Sequence, residues 1–288
     1  MVMTTNNLKI FIKVADKMSI TEAANDLYIS QPAVSKAIKN IENDLNVKIF
    51  HRDKKTGLIL TDVGKEVLVL ARQMMNIENK IFQISNRENN LFGGGVKIGS
   101  FPAASTIFLS KAIALFKKKY PLVSIDLMEG SPNQINKWVE ERVVDFGIVL
   151  SPVEGYEYKF LIQDKMVGIL QDQHEVKNNI DLIAHQNNLI LCKAGYEKVV
   201  SQIFKDNKIN FDNSFIVQNA DTLINMVKNG VGIGVMSEFI LSSISHDFVK
   251  CSIHPPIEME IGLIAHSFKE LTPAAAAFVN VIENNNIN

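Results

Sequence analysis

Residues 30–42 read Ser30-Gln31-Pro32-Ala33-Val34-Ser35-Lys36-Ala37-Ile38-Lys39-Asn40-Ile41-Glu42, and this stretch decides the fold. Ser30 suits a helix N-cap, because its hydroxyl accepts a backbone N–H of the first turn. Pro32 falls in that turn, where a missing N–H costs nothing and a fixed φ helps. Ile29 and Val34 flank the cap at the spacing of a hydrophobic staple. Val34, Ile38, Ile41 and Leu45 recur at helical steps and form one buried stripe. Pro32, Ser35, Lys36, Lys39, Asn40 and Asn43 fall on the opposite face, which carries hydrogen-bonding and cationic groups and no carboxylate. Such a face suits a DNA major groove. Gln31 at its leading edge matches an adenine edge, and Ala33 matches a thymine methyl. Taken alone, the face also reads as an ordinary solvated surface, so the flanking sequence decides.

Upstream, Leu8, Phe11 and Ala15 share one face of a first helix over residues 5–17, with Lys9, Lys13 and Lys17 outside. Ser19 and Glu22 have capping-box spacing and open a short helix with Ala23, Ala24 and Leu27 inward. Two helices joined by a tight turn, the second capped and polar outside, form a helix-turn-helix. Asn46 follows Leu45 where a left-handed residue ends a helix. Downstream, VKIF (47–50) and LIL (58–60) read as strands joined by Arg52-Asp53-Lys54-Lys55-Thr56-Gly57. A basic hairpin tip there is a wing that reaches phosphates or the minor groove; by itself it is equally a solvated turn. On the DNA reading, Gln31, Ser35 and Lys36 face bases. Ser30, Pro32 and Ala33 line the helix entry, and Lys39, Arg52, Lys54 and Lys55 position phosphates.

Thr61 caps a long helix to about Glu88. Val63, Val67, Leu70, Met74, Ile77, Ile81 and Ile84 alternate steps of four and three, a heptad seam. A narrow stripe about 40 Å long needs a partner. A second copy of the chain meeting it through Val67, Leu70, Met74, Ile77 and Ile81 is the expectation; packing on its own body is the alternative. Gly93-Gly94-Gly95 then marks a boundary.

The chain of 288 residues suffices for about two domains. Net charge is −1, but residues 1–90 hold 13 Lys and Arg against 10 Asp and Glu, while the remainder holds 17 against 21. A basic head on an acidic body fits a nucleic-acid module joined to a ligand module. The two cysteines, Cys192 and Cys251, lie in apolar runs and make no disulfide framework. There is no basic-then-apolar leader and no apolar run near 18 residues, so a soluble cytoplasmic protein with no membrane partner is expected.

From Val96 strands and helices alternate. VKIG (96–99), VSIDLM (123–128), DFGIVL (145–150), YKFLI (158–162), MVGILQ (166–171), LILC (189–192), FIV (215–217), GVGIGVM (230–236) and EIGLIA (260–265) read as strands. Helices are expected over 105–119 and 133–142, near 196–205, 221–228 and 237–243, and over 272–282. That order implies an α/β fold with a parallel sheet covered on both faces. Its length suggests two lobes, 93–163 with 267–288, and 164–266. Ligands in such folds bind beyond the carboxyl ends of strands. The candidate effector contacts are Ser100, Phe101, Ser131, Pro132, Ser151, Lys193 and Thr222. Loops leading into helices present N–H groups to an anion, and none of these loops holds an arginine to clamp a phosphate ester. These serines also read as plain helix caps.

Residues 30–64 resemble the head of LysR-type transcriptional regulators. The shared elements are SQPAVS (30–35), Ile41-Glu42, Phe50-x-Arg52 and Leu60-Thr61-x-x-Gly64. The body is loosely similar over its whole length, through the 96–119 segment, Tyr120-Pro121, Asp145-Phe146 and glycine-rich 230–234. The family usually has Gly where Asn46 stands. The resemblance implies a winged helix-turn-helix (1–62), a dimerising linker helix (63–92) and a two-lobed effector domain like periplasmic binding proteins (93–288). It also implies promoter or operator double-stranded DNA and a small-molecule effector as partners, and a homodimer that often becomes a homotetramer. Residues 130–135 are similar to the cysteine-biosynthesis branch, but Ser100–Ser105 lacks the hydroxyl-rich ligand loop of that branch.

Catalysis is the rival class. The chain has no Gly-x-Ser-x-Gly elbow, P-loop or His-Glu-x-x-His, and its histidines lack metal spacing, so no catalytic, cofactor or metal residues are assigned. Gly230, Gly232 and Gly234 read as tight strand–helix packing rather than a dinucleotide fingerprint. Redox sensing through Cys192 and Cys251 is the second alternative.

Overall fold

The computed structural model describes residues 4–53, 57–88, 93–150, 154–171, 179–192, 197–209, 215–242, 244 and 248–284. The chain divides into two compact units. The first holds residues 1–94, with 140–143 and 271–274 clustering alongside.

In that unit α1 (Thr5–Lys17), α2 (Ile20–Asp26) and α3 (Gln31–Leu45) precede a hairpin of β1 (Phe50–Asp53) and β2 (Gly57–Leu60), and α4 (Asp62–Glu88) follows. The second and third helices start at the expected caps, Ser19 and Ser30, and the first starts at Thr4, a cap the sequence reading does not include. The Thr4 hydroxyl accepts Asn7 N–H, Ser19 accepts Glu22 N–H at 3.2 Å, and Ser30 accepts Ala33 N–H at 3.4 Å. Helix α3 ends at Asn46 in the left-handed region, φ 52 and ψ 38. Val34, Ile38 and Ile41 are buried as the stripe requires, with Ala37 beside them. Leu45 packs partly against the same core. Ile29, the expected staple partner of Val34, is 38% exposed.

The hairpin begins later than expected, at Phe50 instead of Val47, because Glu42 intervenes. Its carboxylate accepts the Ile49 N–H at 3.2 Å and the Lys48 ammonium at 2.6 Å. Register then runs Phe50 opposite Leu60 to Asp53 opposite Gly57. Phe50 is buried edge-on to Phe11, ring centroids 5.6 Å apart.

The second unit opens with β3 (Gly94–Ser100). Next come α5 (Pro102–Ala104), a wider π turn at Ser105–Leu109 and α6 (Ser110–Lys119). Then follow β4 (Val123–Glu129), α7 (Pro132–Glu140), β5 (Phe146–Leu150), β6 (Glu157–Leu170), β7 (Asn179–Asp181), β8 (Leu189–Cys192), α8 (Glu197–Asp206), β9 (Phe215–Val217) and α9 (Ala220–Lys228). The unit closes with β10 (Ile233–Ser237), α10 (Glu238–Leu241), β11 (Val249–His254), β12 (Glu258–Ala265) and α11 (Pro273–Asn284).

Among the described residues the sheet order is β4-β3-β5-β12-β6-β10-β8-β9, with β11 and β7 branching from β6. The sheet is mixed, not wholly parallel. β3–β5, β10–β8 and β8–β9 are parallel, whereas β12 runs antiparallel to β5 and β6, and β6 antiparallel to β10. YKFLI and MVGILQ are one strand, β6, because the polar interruption between them is satisfied in place. Asp164 is buried and accepts the Ser237 hydroxyl at 2.5 Å, Phe239 N–H at 3.0 Å and Lys165 N–H at 2.8 Å. Strands β7 and β11 are additions to the expected set. Strand β6 joins the two halves of the sheet: residues 157–165 pair with β12, and residues 166–170 pair with β10 and β11. The second lobe has its own core, from Met166 to Met259, including Ile169, Leu189, Phe204, Leu223 and Val235. Gly234 presses against Ile169 and Leu223, the close strand–helix packing expected of that glycine run.

Candidate nucleic-acid interface and effector site

Gln31, Pro32, Ala33, Ser35, Lys36 and Lys39 are all exposed on one side of α3, opposite the buried stripe. Ser30 is engaged as the cap that starts this face. Arg52 is exposed on β1, and Lys54 and Lys55 lie outside the described residues. The hairpin is held to the helix bundle by a cluster around Thr61, which caps α4 as expected. The Thr61 hydroxyl donates to Lys48 O at 2.7 Å and accepts Gly64 N–H at 2.9 Å. Thr61 N–H donates to Ile49 O at 3.1 Å. A methyl group at Gly64 would collide with the Ile49 carbonyl oxygen, so only glycine lets α4 approach this closely. Glu42, Thr61 and Gly64 therefore fix where Arg52 sits relative to α3. In the sequence Thr61 reads as a cap, and Glu42 and Gly64 stand only among the elements shared with the family; the contacts that join the three are not legible there.

Helix α4 has two faces. Leu68 and Ala71 are buried in the head's core, with Val67 and Met75 partly buried against it. Arg72 pairs with Asp16 at 2.7 Å and Lys9 with Glu78 at 3.1 Å, which fastens α4 to α1. Leu70, Met74, Ile77 and Ile81 are 59%, 45%, 52% and 62% exposed. Of the five seam positions, Val67 alone leans toward the head.

Ser100, the last residue of β3, and Phe101 after it are both buried. The Ser100 hydroxyl donates to Phe101 O at 3.1 Å, and Ser100 O accepts Gly130 N–H at 3.0 Å, which brings the first two candidate loops together. Phe101 occupies the N-cap position of α5 and supplies no side-chain cap. Ser131 is exposed and forms a reciprocal capping box. Its hydroxyl accepts Gln134 N–H at 3.4 Å and its own N–H donates to Gln134 Oε1 at 2.9 Å. Pro132 is half-buried as the first residue of α7. Thr222 is exposed in the first turn of α9, and both its N–H and hydroxyl donate to Asn219 Oδ1 at 2.9 Å. Ser131 and Thr222 thus belong to helix caps. Ser151 and Lys193 lie outside the described residues. At the other end of β3 and β5, Asp145 accepts Lys97 N–H at 2.7 Å, and burial pushes its carboxyl up to about 6.

Cys192 and Cys251 are free thiols, and burial pushes the Cys251 thiol up, away from the reactive thiolate. Among the described residues no His, Cys, Asp and Glu group is arranged to hold a metal ion, and no helix is long and apolar enough to cross a membrane.

Comparison with known proteins agrees with this anatomy. Residues 5–65 match the bacterial regulatory helix-turn-helix family of lysR type, and residues 89–286 match the LysR substrate binding domain. The HTH-type transcriptional regulator YoaU of Bacillus subtilis (strain 168) is 52% identical over 286 residues, 98% of this chain and 99% of that protein. YvbU of the same organism is 35% identical over 285 residues, 97% of each. Among solved structures, a full-length point variant of OxyR from Pseudomonas aeruginosa aligns with a TM-score of 0.76 at 19% identity, covering 99% of this chain and 94% of that one. Full-length CbnR complexed with its target DNA aligns at 0.61 and 17%, covering 97% and 98%; at these identities both show the fold alone. The matched families and relatives are transcriptional regulators, not enzymes. This chain belongs to the LysR family of transcriptional regulators.

Proposed function

We propose that this regulator reads a promoter or operator through α3 and changes its output when a small anion binds beside the strand ends of the second unit. The observation that carries the reading is the outer face of α3: Gln31, Pro32, Ala33, Ser35, Lys36, Lys39, Asn40 and Asn43 are all exposed, two of them lysines and none a carboxylate. Gln31, Ser35 and Lys36 meet base edges, while Lys39, Arg52, Lys54 and Lys55 meet phosphates. The chain works in the cytoplasm as a dimer joined along Leu70, Met74, Ile77 and Ile81, with Val67 at the head end, and two dimers make a tetramer. Four large apolar side chains in a row, each 45–62% exposed, favour a covered seam over a solvated one.

For the effector, the uncapped start of α5 beside Phe101 supports an anion, since first-turn N–H groups and the helix dipole favour negative charge there. Ser131 and Thr222 already serve caps, so a ligand takes their hydroxyls as second partners. Lys193 supplies the cation and Ser151 a further hydroxyl.

Sequencing the DNA captured by the full chain in its native cell tests the reading. A few shared sites with two-fold symmetric half-sites are expected. Capture spread evenly over the genome would refute it.

A further inference from the structure

Tyr28 is the most exposed large apolar or aromatic side chain among the described residues, with 95% of its surface open. Its backbone is left-handed, φ 55. The cause is the closure of α2. Ile29 N–H donates to Ala24 O at 3.1 Å and Tyr28 N–H to Asn25 O at 3.2 Å, the paired bonds of a Schellman motif. That motif demands a left-handed residue at position 28, where glycine or asparagine carries the least strain. A tyrosine there is strained, and nothing in the fold offsets the strain: among the described residues its side chain makes no hydrogen bond or ring contact. Two residues on is the Ser30 cap, and three residues on is Gln31. Its Cα therefore lies within about 10 Å of that of Gln31.

We propose that Tyr28 is a phosphate-contact residue. Its phenolic hydroxyl donates to a backbone phosphate oxygen next to the bases that Gln31 faces, and its ring lies along the adjoining sugar. The proposal rests on the reading of α3 as the recognition helix. Tyrosine is a regular donor to phosphates. Being neutral, it displaces no counterion, so its contribution is independent of salt, unlike that of Arg52.

The test uses the full chain, a duplex it recovers from a randomised pool, and the same duplex with its central bases scrambled. Affinity is read by fluorescence anisotropy across salt. Tyr28→Phe, which keeps the ring and backbone, is expected to weaken both duplexes about tenfold with an unchanged salt slope. Tyr28→Gly is expected to weaken both at least as much, while its thermal midpoint equals or exceeds that of the parent because the strain is gone. Wild-type affinity in both variants, a loss confined to the recovered duplex, or a reduced salt slope would each overturn the proposal. Recovery of no duplex by the parent chain would overturn the recognition-helix reading itself, and Tyr28 with it. Normal parent binding with silent Tyr28 variants would remove Tyr28 alone.

Discussion

Replacing Gly64 with alanine should dislodge the wing. The new methyl overlaps the Ile49 carbonyl oxygen, a backbone atom that cannot swing aside as a side chain end does. Either α4 retreats or the strand entry shifts, and three bonds go with it. These are Thr61 N–H to Ile49 O at 3.1 Å, the Thr61 hydroxyl to Lys48 O at 2.7 Å, and Gly64 N–H to the Thr61 hydroxyl at 2.9 Å. Each is worth about 1 kcal/mol net. Overpacking adds about 1–3 kcal/mol if the overlap is only partly relieved. The expected loss is about 4–6 kcal/mol, a large share of the roughly 5–15 kcal/mol typical of a folded domain. Gly57→Ala is the control: its surroundings are open, but its φ of 81 costs an alanine only about 1 kcal/mol. Urea unfolding followed by far-UV circular dichroism reads the helices of both units, so the head is the part of the dichroism change that has no counterpart in the fluorescence of the second unit. The single tryptophan, Trp138 on α7, reports the second unit by fluorescence. The Gly64→Ala transition by dichroism should move to markedly lower urea while the Trp138 midpoint holds. If Gly64→Ala costs no more than Gly57→Ala, the close approach of α4 to the hairpin is not what demands glycine.

Leu70→Asp with Ile77→Asp places two carboxylates in the proposed seam, at several kcal/mol each; sedimentation of the full chain at micromolar concentration should show the parent's tetramer reduced to a dimer or monomer, and an assembly unchanged from the parent's would refute the seam. Asp145 holds its proton more tightly folded, at about 6, than in the unfolded chain. Its protonated form therefore favours folding, and this one group's contribution to stability falls by on the order of 2–3 kcal/mol as pH rises from about 4 to about 6. Asp145→Asn should flatten that slope in denaturant titrations at stepped pH, and an unchanged slope would exclude Asp145 as its source. In a thermal-shift screen of the full chain, an anion that raises the midpoint should lose most of that shift in the Ser100→Ala, Ser131→Ala double variant. The unliganded midpoint should fall by only about 1 kcal/mol per site. Binding only by neutral or cationic compounds would remove the anion site.

The head was legible because its information is local. Caps at Ser19 and Ser30, the stripe Val34–Ile38–Ile41 and the left-handed Asn46 each rest on residues within a turn of one another. The start of β1 was not, because Glu42, seven residues back, takes the Ile49 N–H that a strand would have used. In the body, Gln163-Asp164-Lys165 looked like a strand break. Asp164 is a buried cap for α10, contributed across 73 residues of sequence, and no local pattern reveals that. Strand β11 did carry a signal, the inward alternation of Cys251 and Ile253 between polar neighbours. The candidate effector loops were found by rule, from the carboxyl ends of strands. That Ser131 and Thr222 would be engaged by Gln134 and Asn219 depends on side-chain bonds the rule does not supply.

The central claim is that the exposed face of α3 reads base sequence, and Gln31→Ala tests it most directly. Affinities of parent and variant for a recovered operator and for a scrambled duplex, at matched salt, decide the matter. The account predicts a loss of about 1–3 kcal/mol on the operator and none on the scrambled duplex. Equal losses on both, or no loss on either, would contradict it.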